Sequence, residues 1–380
     1  MRQWILKLGL YKLTRPKYSP SGWFFLVDTS IQMGSQKCVV VLGLKCTDIR
    51  HDFCPSMDEA EVLALKPLCN CPGEIINELL EEAVTATGTK PTAIISDQGS
   101  ENKKGIQIFT QNHPETVHLF DISHKINICL KEELNEDPVW LSFKTAATAF
   151  LQNIKLSSIA HLVPPRQRTK DRMHSAFYLI DWGCRLLQFV DSEEFNTLTV
   201  TEQAKIEWIK QYRFSLPNYL RFQKLCECAL DLVHEQGYFS NIEKEFLARI
   251  ECWSMPIQDQ RFINFKNKIG AILQTEGDKT SWGFHYMGST ELLEALFGKF
   301  KYMEDIHASS GLTSLVLAIP ALVGKLDRSV VEEALESISV LEVEEWTEKN
   351  LGQTFLSKRR QALKSNKEEE EVIDLELCDI

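Results

Sequence analysis

The order in which short apolar runs give way to helical periodicity constrains this chain more than any other feature. Residues 22–28 (GWFFLVD) form an apolar run closed by a carboxylate. After a polar turn containing Met33, Gly34 and Ser35 comes a second, β-branched run, residues 38–44 (CVVVLGL). Two such runs about a polar turn predict a β-hairpin. Residues 46–53 alternate more weakly and are expected as a third, edge strand. Residues 72–87 place Ile75, Ile76, Leu79, Leu80, Ala83 and Val84 at helical spacing, with Gly88 as the stop. Residues 92–96 (TAIIS) predict a fourth strand running into Asp97, 104–111 a short helix, and 117–120 a fifth strand ending in Asp121. Ser123 is the expected N-cap of a helix reaching Leu134. Three adjacent strands followed by helix–strand alternation give an α/β fold, a mixed five-stranded sheet with helices on its faces. The first and fourth strands can then lie parallel and adjacent, bringing Asp28 and Asp97 to the carboxyl edge that ligands favour.

Beyond this segment the pattern is almost wholly helical from 136 to 283. The clearest helices are expected at 140–154, 173–190, 202–212, 219–237 and 242–253. Further helices are expected at 290–301, 312–326 and 330–341. The domain reading is therefore a linker remnant (1–20), the first part of the α/β core (21–135), and a large all-α insertion (136–283). The second part of the core (284–345) and an acidic tail (346–380) complete it. No apolar run approaches the ~20 residues of a membrane span and no signal-peptide pattern opens the chain, so a cytoplasmic protein is expected. The eleven cysteines are scattered without a CxxC pair, which suits reduced thiols.

The chain carries 53 acidic against 42 basic residues, a net charge of −11. That sum argues against a nucleic-acid partner, although a metal-dependent nuclease must itself gather carboxylates. An aspartate at the end of one strand is ordinary turn chemistry. A pair on neighbouring strands is what a two-metal phosphoryl-transfer site needs, because Mg²⁺ takes hard oxygen ligands converging from separate elements. A third acid would have to come from a helix packed beside them.

Three stretches carry a family resemblance: LVDTS (26–30), IISDQGSEN (94–102) and STELLEALFGKFK (289–301). In this order they resemble the DDE-type DNA transposases, with aspartates after strands one and four and a glutamate on a later helix. Asp121 and His124 also match a motif that several transposase superfamilies carry after strand five. Glu294 is followed seven positions later by Lys301, a spacing similar to that of bacterial insertion-sequence transposases, and one that puts both on one helix face. The resemblance implies an RNase H-like core and a catalytic triad of Asp28, Asp97 and Glu294 holding two Mg²⁺ ions, with Mn²⁺ able to substitute. It implies cleavage and strand transfer on transposon-end and target DNA, a homodimer, and a nucleoid-associated location. Lys301 would contact phosphate. The resemblance also implies an N-terminal recognition domain, which this chain is expected to lack.

Several assignments stay open at this level. Glu291, three positions before Glu294, is the alternative third acid, and both are also compatible with a solvated helix face. His124 suits either a metal or phosphate contact or a buried hydrogen bond, and Asp121 suits an architectural role. Glu101 and Asn102 read as ordinary loop residues. Arg166, Arg168, Lys170 and Arg172 form the best local DNA-binding candidate, or else a solvated basic loop. Trp182 and Trp208 suit base stacking or a helical core. Two other functions compete: a catalytically inactive, transposase-derived DNA-binding or regulatory protein, and a sugar-kinase-like ATPase, whose glycine-rich phosphate loops the chain lacks.

Overall fold

The computed structural model describes residues 2–33, 36–46, 53–68, 70–167, 172–253, 259–307 and 313–351. The chain opens with α1 (Arg2–Thr14), β1 (Trp23–Met33), β2 (Gln36–Lys45), β3 (Ala60–Leu68), α2 (Gly73–Thr87), β4 (Ala93–Ser96), α3 (Ser100–Asn112) and β5 (Val117–Phe120). Eight helices follow: α4 (Ile122–Asn135), α5 (Pro138–Ile154), α6 (Arg172–Val190), α7 (Glu193–Asn196), α8 (Val200–Ile206), α9 (Leu216–Gln236), α10 (Ile242–Glu251) and α11 (Gln260–Gly277). Last come α12 (Glu291–His307), α13 (Ala318–Ala321), α14 (Arg328–Ser337) and α15 (Val340–Leu351). These elements form two units: residues 1–119 with 289–380, and residues 120–288. The expected insertion, 136–283, lies inside the second.

The first unit is built on one five-stranded mixed sheet in the order β3-β2-β1-β4-β5. β1 is antiparallel to β2 and parallel to β4, and β2 is antiparallel to β3. The α/β expectation and the parallel β1–β4 pair are therefore present. The third strand is not where the sequence pattern put it. Of the expected segment 46–53, residues 47–52 lie outside the described residues, and the strand beside β2 is Ala60–Leu68. Glu61, Lys66 and Pro67 break its apolar pattern. A proline is tolerated there because β3 is an edge strand with β2 as its sheet neighbour.

Strand alternation gives β1 two faces. Trp23, Phe25 and Val27 join Val39, Val41 and Ile94 beneath α2 and α3, through Ile76, Leu79, Leu80, Ile106 and Phe109. Gly88 ends α2 in the left-handed region (φ 68°), its N–H bonding Val84 O at 2.8 Å. α12 also packs against β1. Its buried Leu293, Leu296, Phe297 and Phe300 belong to none of that first cluster.

Residues 2–14, expected as part of a linker, are a helix with a core of their own. Leu6 and Leu10 pack with Leu317, Ile338 and Val343 from the C-terminal segment. Partners three hundred residues away are invisible to a local pattern. The fit depends on Gly9: a Cβ there would lie 1.7 Å from Leu317 O. Gly9→Ala must shift backbone against backbone, so it is expected to destabilise the first unit by about 2 kcal/mol or more despite alanine's better helix propensity. Thermal unfolding of the purified variant measures this; an unchanged or raised midpoint would contradict the packing.

Other boundaries shift for identifiable reasons. The expected helix at 312–326 is only a 3₁₀ turn (Ser314–Leu317) and α13, capped by Leu322, with Gly324 beyond it at φ 75°. Ser339 opens α15 with a reciprocal cap, its N–H to Glu342 Oε2 (2.7 Å) and Glu342 N–H to its Oγ (3.1 Å). That helix carries ordered structure to Leu351, into the segment expected as tail, while residues 352–380 lie outside the described residues. The expected 202–212 helix divides into α8 and a 3₁₀ turn, Glu207–Tyr212.

The second unit is helical, as expected. Trp182 and Trp208 belong to its aromatic core with Phe143 and Phe150, at ring separations of 5.6–6.3 Å. Trp182 Nε1 donates to Leu162 O at 3.0 Å, so the core reading of these tryptophans holds. α4 is capped by Asp121, which accepts Ser123 N–H at 3.0 Å, rather than by Ser123. Fully buried Glu276 accepts Phe120 N–H (3.1 Å) and pairs with Lys125 (3.3 Å) and Lys279 (2.7 Å). All nine cysteines among the described residues are free thiols. No described helix is long and apolar enough to cross a membrane.

Candidate active site

The parallel register of β1 and β4 pairs Val27 with Ser96. Asp28 and Asp97 are the next residues on each strand, so they emerge side by side at the same edge. β1 pairing shifts immediately after Asp28, a bulge of the kind that re-aims a side chain. Asp28 shares the face of Phe24 and Leu26, opposite the face covered by α2 and α3. It is 9% exposed, and its Oδ1 accepts Thr29 N–H at 2.6 Å.

Asp97 is held more elaborately. Its Oδ1 accepts both Gly99 N–H (2.9 Å) and Asn102 Nδ2 (2.7 Å). Asn102 sits in the first turn of α3, 1% exposed, and reaches back toward the strand end. Gly99 makes the close turn possible: a Cβ would stand 3.0 Å from Asp97 Oδ1 and 3.6 Å from Asn102 Nδ2. Oδ2 of Asp97 accepts no hydrogen bond among the described residues, so one oxygen is fixed while the other is left for a ligand. Behind it, buried Ser96 Oγ donates to Asp97 O (2.9 Å) and pairs with His118 Nε2 on β5 (3.0 Å).

Sequence reasoning passed over Asn102 and His118. The signal for Asn102 was its place five residues after the aspartate, across a glycine and a helix start, a spacing that lets a first-turn side chain fold back. His118 lies in a strand whose pairing partner a local pattern does not reveal.

The α12 acids are placed less decisively. Glu291 and Glu294 both lie in its first turn. Glu291 is half-buried and Glu294 exposed; Lys301 is half-buried and, like Glu294, lies outside the buried stripe. α12 reaches β1, but among the described residues no three His, Cys, Asp or Glu side chains form a group that could hold a metal ion. Two hard carboxylates with one free, pre-oriented oxygen suit Mg²⁺.

The remaining candidates lie in the second unit. His124 is half-buried in the first turn of α4. Arg166 is exposed and Arg172 opens α6, while Arg168 and Lys170 lie outside the described residues. No model of a known protein family matches the chain, and no curated protein matches its sequence.

Proposed function

We propose that the first unit is the catalytic core of a DDE-type DNA transposase with an RNase H-like sheet, cutting and joining DNA by metal-dependent phosphoryl transfer. The observation that carries this reading is the Val27–Ser96 register, which brings Asp28 and Asp97, sixty-nine positions apart (97 − 28), to adjacent strand ends. The strand order β3-β2-β1-β4-β5 and the packing of α12 on β1 support it further.

Magnesium, two ions with manganese as substitute, supplies Lewis acidity at the scissile phosphate when bound. Asp28 and Asp97 are the ligands, joined by Glu294, or Glu291, from the first turn of α12. Closing that set requires an α12 carboxylate to swing to the aspartates. Asn102 keeps Asp97 in one rotamer by occupying Oδ1, which directs Oδ2 outward. Lys301 contacts a phosphate of the bound strand. Water attacks a phosphodiester at the element's end, releasing a 3′-hydroxyl that attacks target DNA in line. No protein nucleophile takes part. The chain works on paired DNA ends as a homodimer, and the helical unit grips the ends through the basic segment that includes Arg166 and Arg172.

The test is nicking of supercoiled plasmid by the purified chain in Mg²⁺ or Mn²⁺. Nicking that needs the cation and vanishes with chelator supports the reading. A second reading, a transposase-derived DNA-binding protein without activity, is favoured by Glu294 standing exposed on α12. DNA retention without nicking in either cation would establish it over the first.

Asn102 is a positioning residue in this scheme. Asn102→Ala is expected to raise the Mg²⁺ concentration for half-maximal nicking about 10–100-fold, with much of the rate recovered at saturating cation. A purely structural role would lower the rate at every Mg²⁺ concentration alike.

A further inference from the structure

The helical unit contains a cavity of about 370 Å³ between α4, α5 and the start of α6. Its size lies at the lower end of the ~300–1,000 Å³ typical of small-molecule sites. Leu130, Leu134 and Met173 give it apolar walls. Trp140, 3% exposed, also lines it, held from behind by Tyr219, edge-on at 5.2 Å, and Phe143 at 5.7 Å. The indole Nε1–H donates to no group among the described residues. The ring is buried but Nε1 retains accessible surface, so an acceptor on a ligand can reach this unpartnered donor.

The remaining polar lining points the same way. Lys131 and Lys144 stand exposed at the cavity, neither paired with a carboxylate among the described residues. Asn127 and Asn135 add amide donors, and among the described residues no aspartate or glutamate contributes to the lining. An acid-free, donor-rich cavity is unexpected in a chain of net charge −11. Lysines attract an anion; the apolar walls and indole edge suit a flat ring carrying an acceptor.

The geometry points to a nucleotide site: a base lies between Leu130, Leu134 and Met173 and accepts the Trp140 N–H, while Lys131 and Lys144 hold its phosphate. The site is formed entirely within the second unit and stands apart from the catalytic reading. One nucleotide chemistry has two sources, a free mononucleotide or an unpaired nucleotide of a DNA strand.

Calorimetric titration of the full chain with dTMP tests it, with thymidine and inorganic phosphate as the separated halves. Saturable dTMP binding is expected, at least about tenfold tighter than either half. Lys131→Ala/Lys144→Ala should weaken it about tenfold or more without altering thermal unfolding, since both lysines are exposed. Trp140→Phe keeps the ring and removes the donor, for a loss of about fivefold. If a single-stranded oligonucleotide competes with dTMP, the occupant is a strand nucleotide; binding that no oligonucleotide displaces assigns it to free nucleotide. Absence of dTMP binding, or binding indifferent to the lysine pair, overturns the proposal whether or not the chain nicks plasmid.

Discussion

Asparagine in place of Asp97 is expected to lower cation-dependent nicking about a thousandfold while leaving thermal unfolding unchanged. The structure separates the two effects because Asp97 uses its oxygens differently. Oδ1 accepts Gly99 N–H and Asn102 Nδ2, and an asparagine carbonyl can accept both in the same rotamer. Oδ2 has no partner among the described residues, and there the substitution puts an amide NH₂, which cannot ligate a hard cation. The local fold is kept and only the ligand is lost. Several kcal/mol of charge stabilisation at the phosphate goes with it, and each ~1.4 kcal/mol is a factor of ten. Asp28→Asn should behave alike, since Thr29 N–H can still donate to the remaining carbonyl. Glu101→Gln, on an exposed neighbour in the same turn, should leave nicking within about twofold. If both asparagine variants nick at the rate of the parent chain, the aspartate pair is not the reaction centre.

What made that pair legible in the sequence was the strand order. The GWFFLVD and TAIIS runs announce buried strands, and the helix between them requires a crossover, which in turn makes the two strands parallel. Their adjacency is then allowed, and the β1–β4 pairing realises it. The finer arrangement depends on groups that local pattern does not register. β3 is an edge strand, so Glu61, Lys66 and Pro67 cost it little, and its sequence does not resemble the central strands. α1 reads as a stray basic segment because its partners, Leu317, Ile338 and Val343, come from the other end of the chain. Asn102 looks like loop polarity until α3 is seen to begin at Ser100, which turns its side chain toward Asp97. The seven-residue interval from Glu294 to Lys301 fixes that both share a helix face. It does not fix how far the face is rotated toward β1, since Leu293, Leu296, Phe297 and Phe300 decide that by packing. The third acid is therefore the part of the site that sequence spacing alone leaves open.

Asp137→Ala should destabilise the helical unit by about 3 kcal/mol, lowering its unfolding midpoint by about 6–12 °C. The residue is 8% exposed and accepts from four donors at once. Oδ1 caps α5 through Val139 N–H (2.8 Å) and Trp140 N–H (3.3 Å), and Oδ2 accepts Tyr219 OH (2.8 Å) and Arg261 Nη1 (2.6 Å). Alanine removes the cap, worth about 1 kcal/mol. It also leaves the hydroxyl of a tyrosine only 2% exposed without its acceptor, a further ~1–3 kcal/mol. The arginine adds little to this total: its side chain is 38% exposed and it keeps Glu133. Asp191→Ala, which breaks a solvent-screened pair with Arg213, supplies the contrast and should leave the unfolding midpoint nearly unchanged. Burial alone would push the Asp137 carboxyl up. Hydrogen bonds from Arg261, Tyr219 and the two α5 N–H groups outweigh it and hold the carboxyl below its usual range. A carboxylate stabilised in the folded state contributes fully above its unfolded pKa of ~3.9 and loses that contribution as pH falls through the lower folded value. The parent and Asp137→Ala stability curves should therefore run parallel from neutrality down to about pH 5 and converge in stronger acid. A variant as stable at neutral pH as Asp191→Ala would show that Tyr219 and the first turn of α5 find other partners.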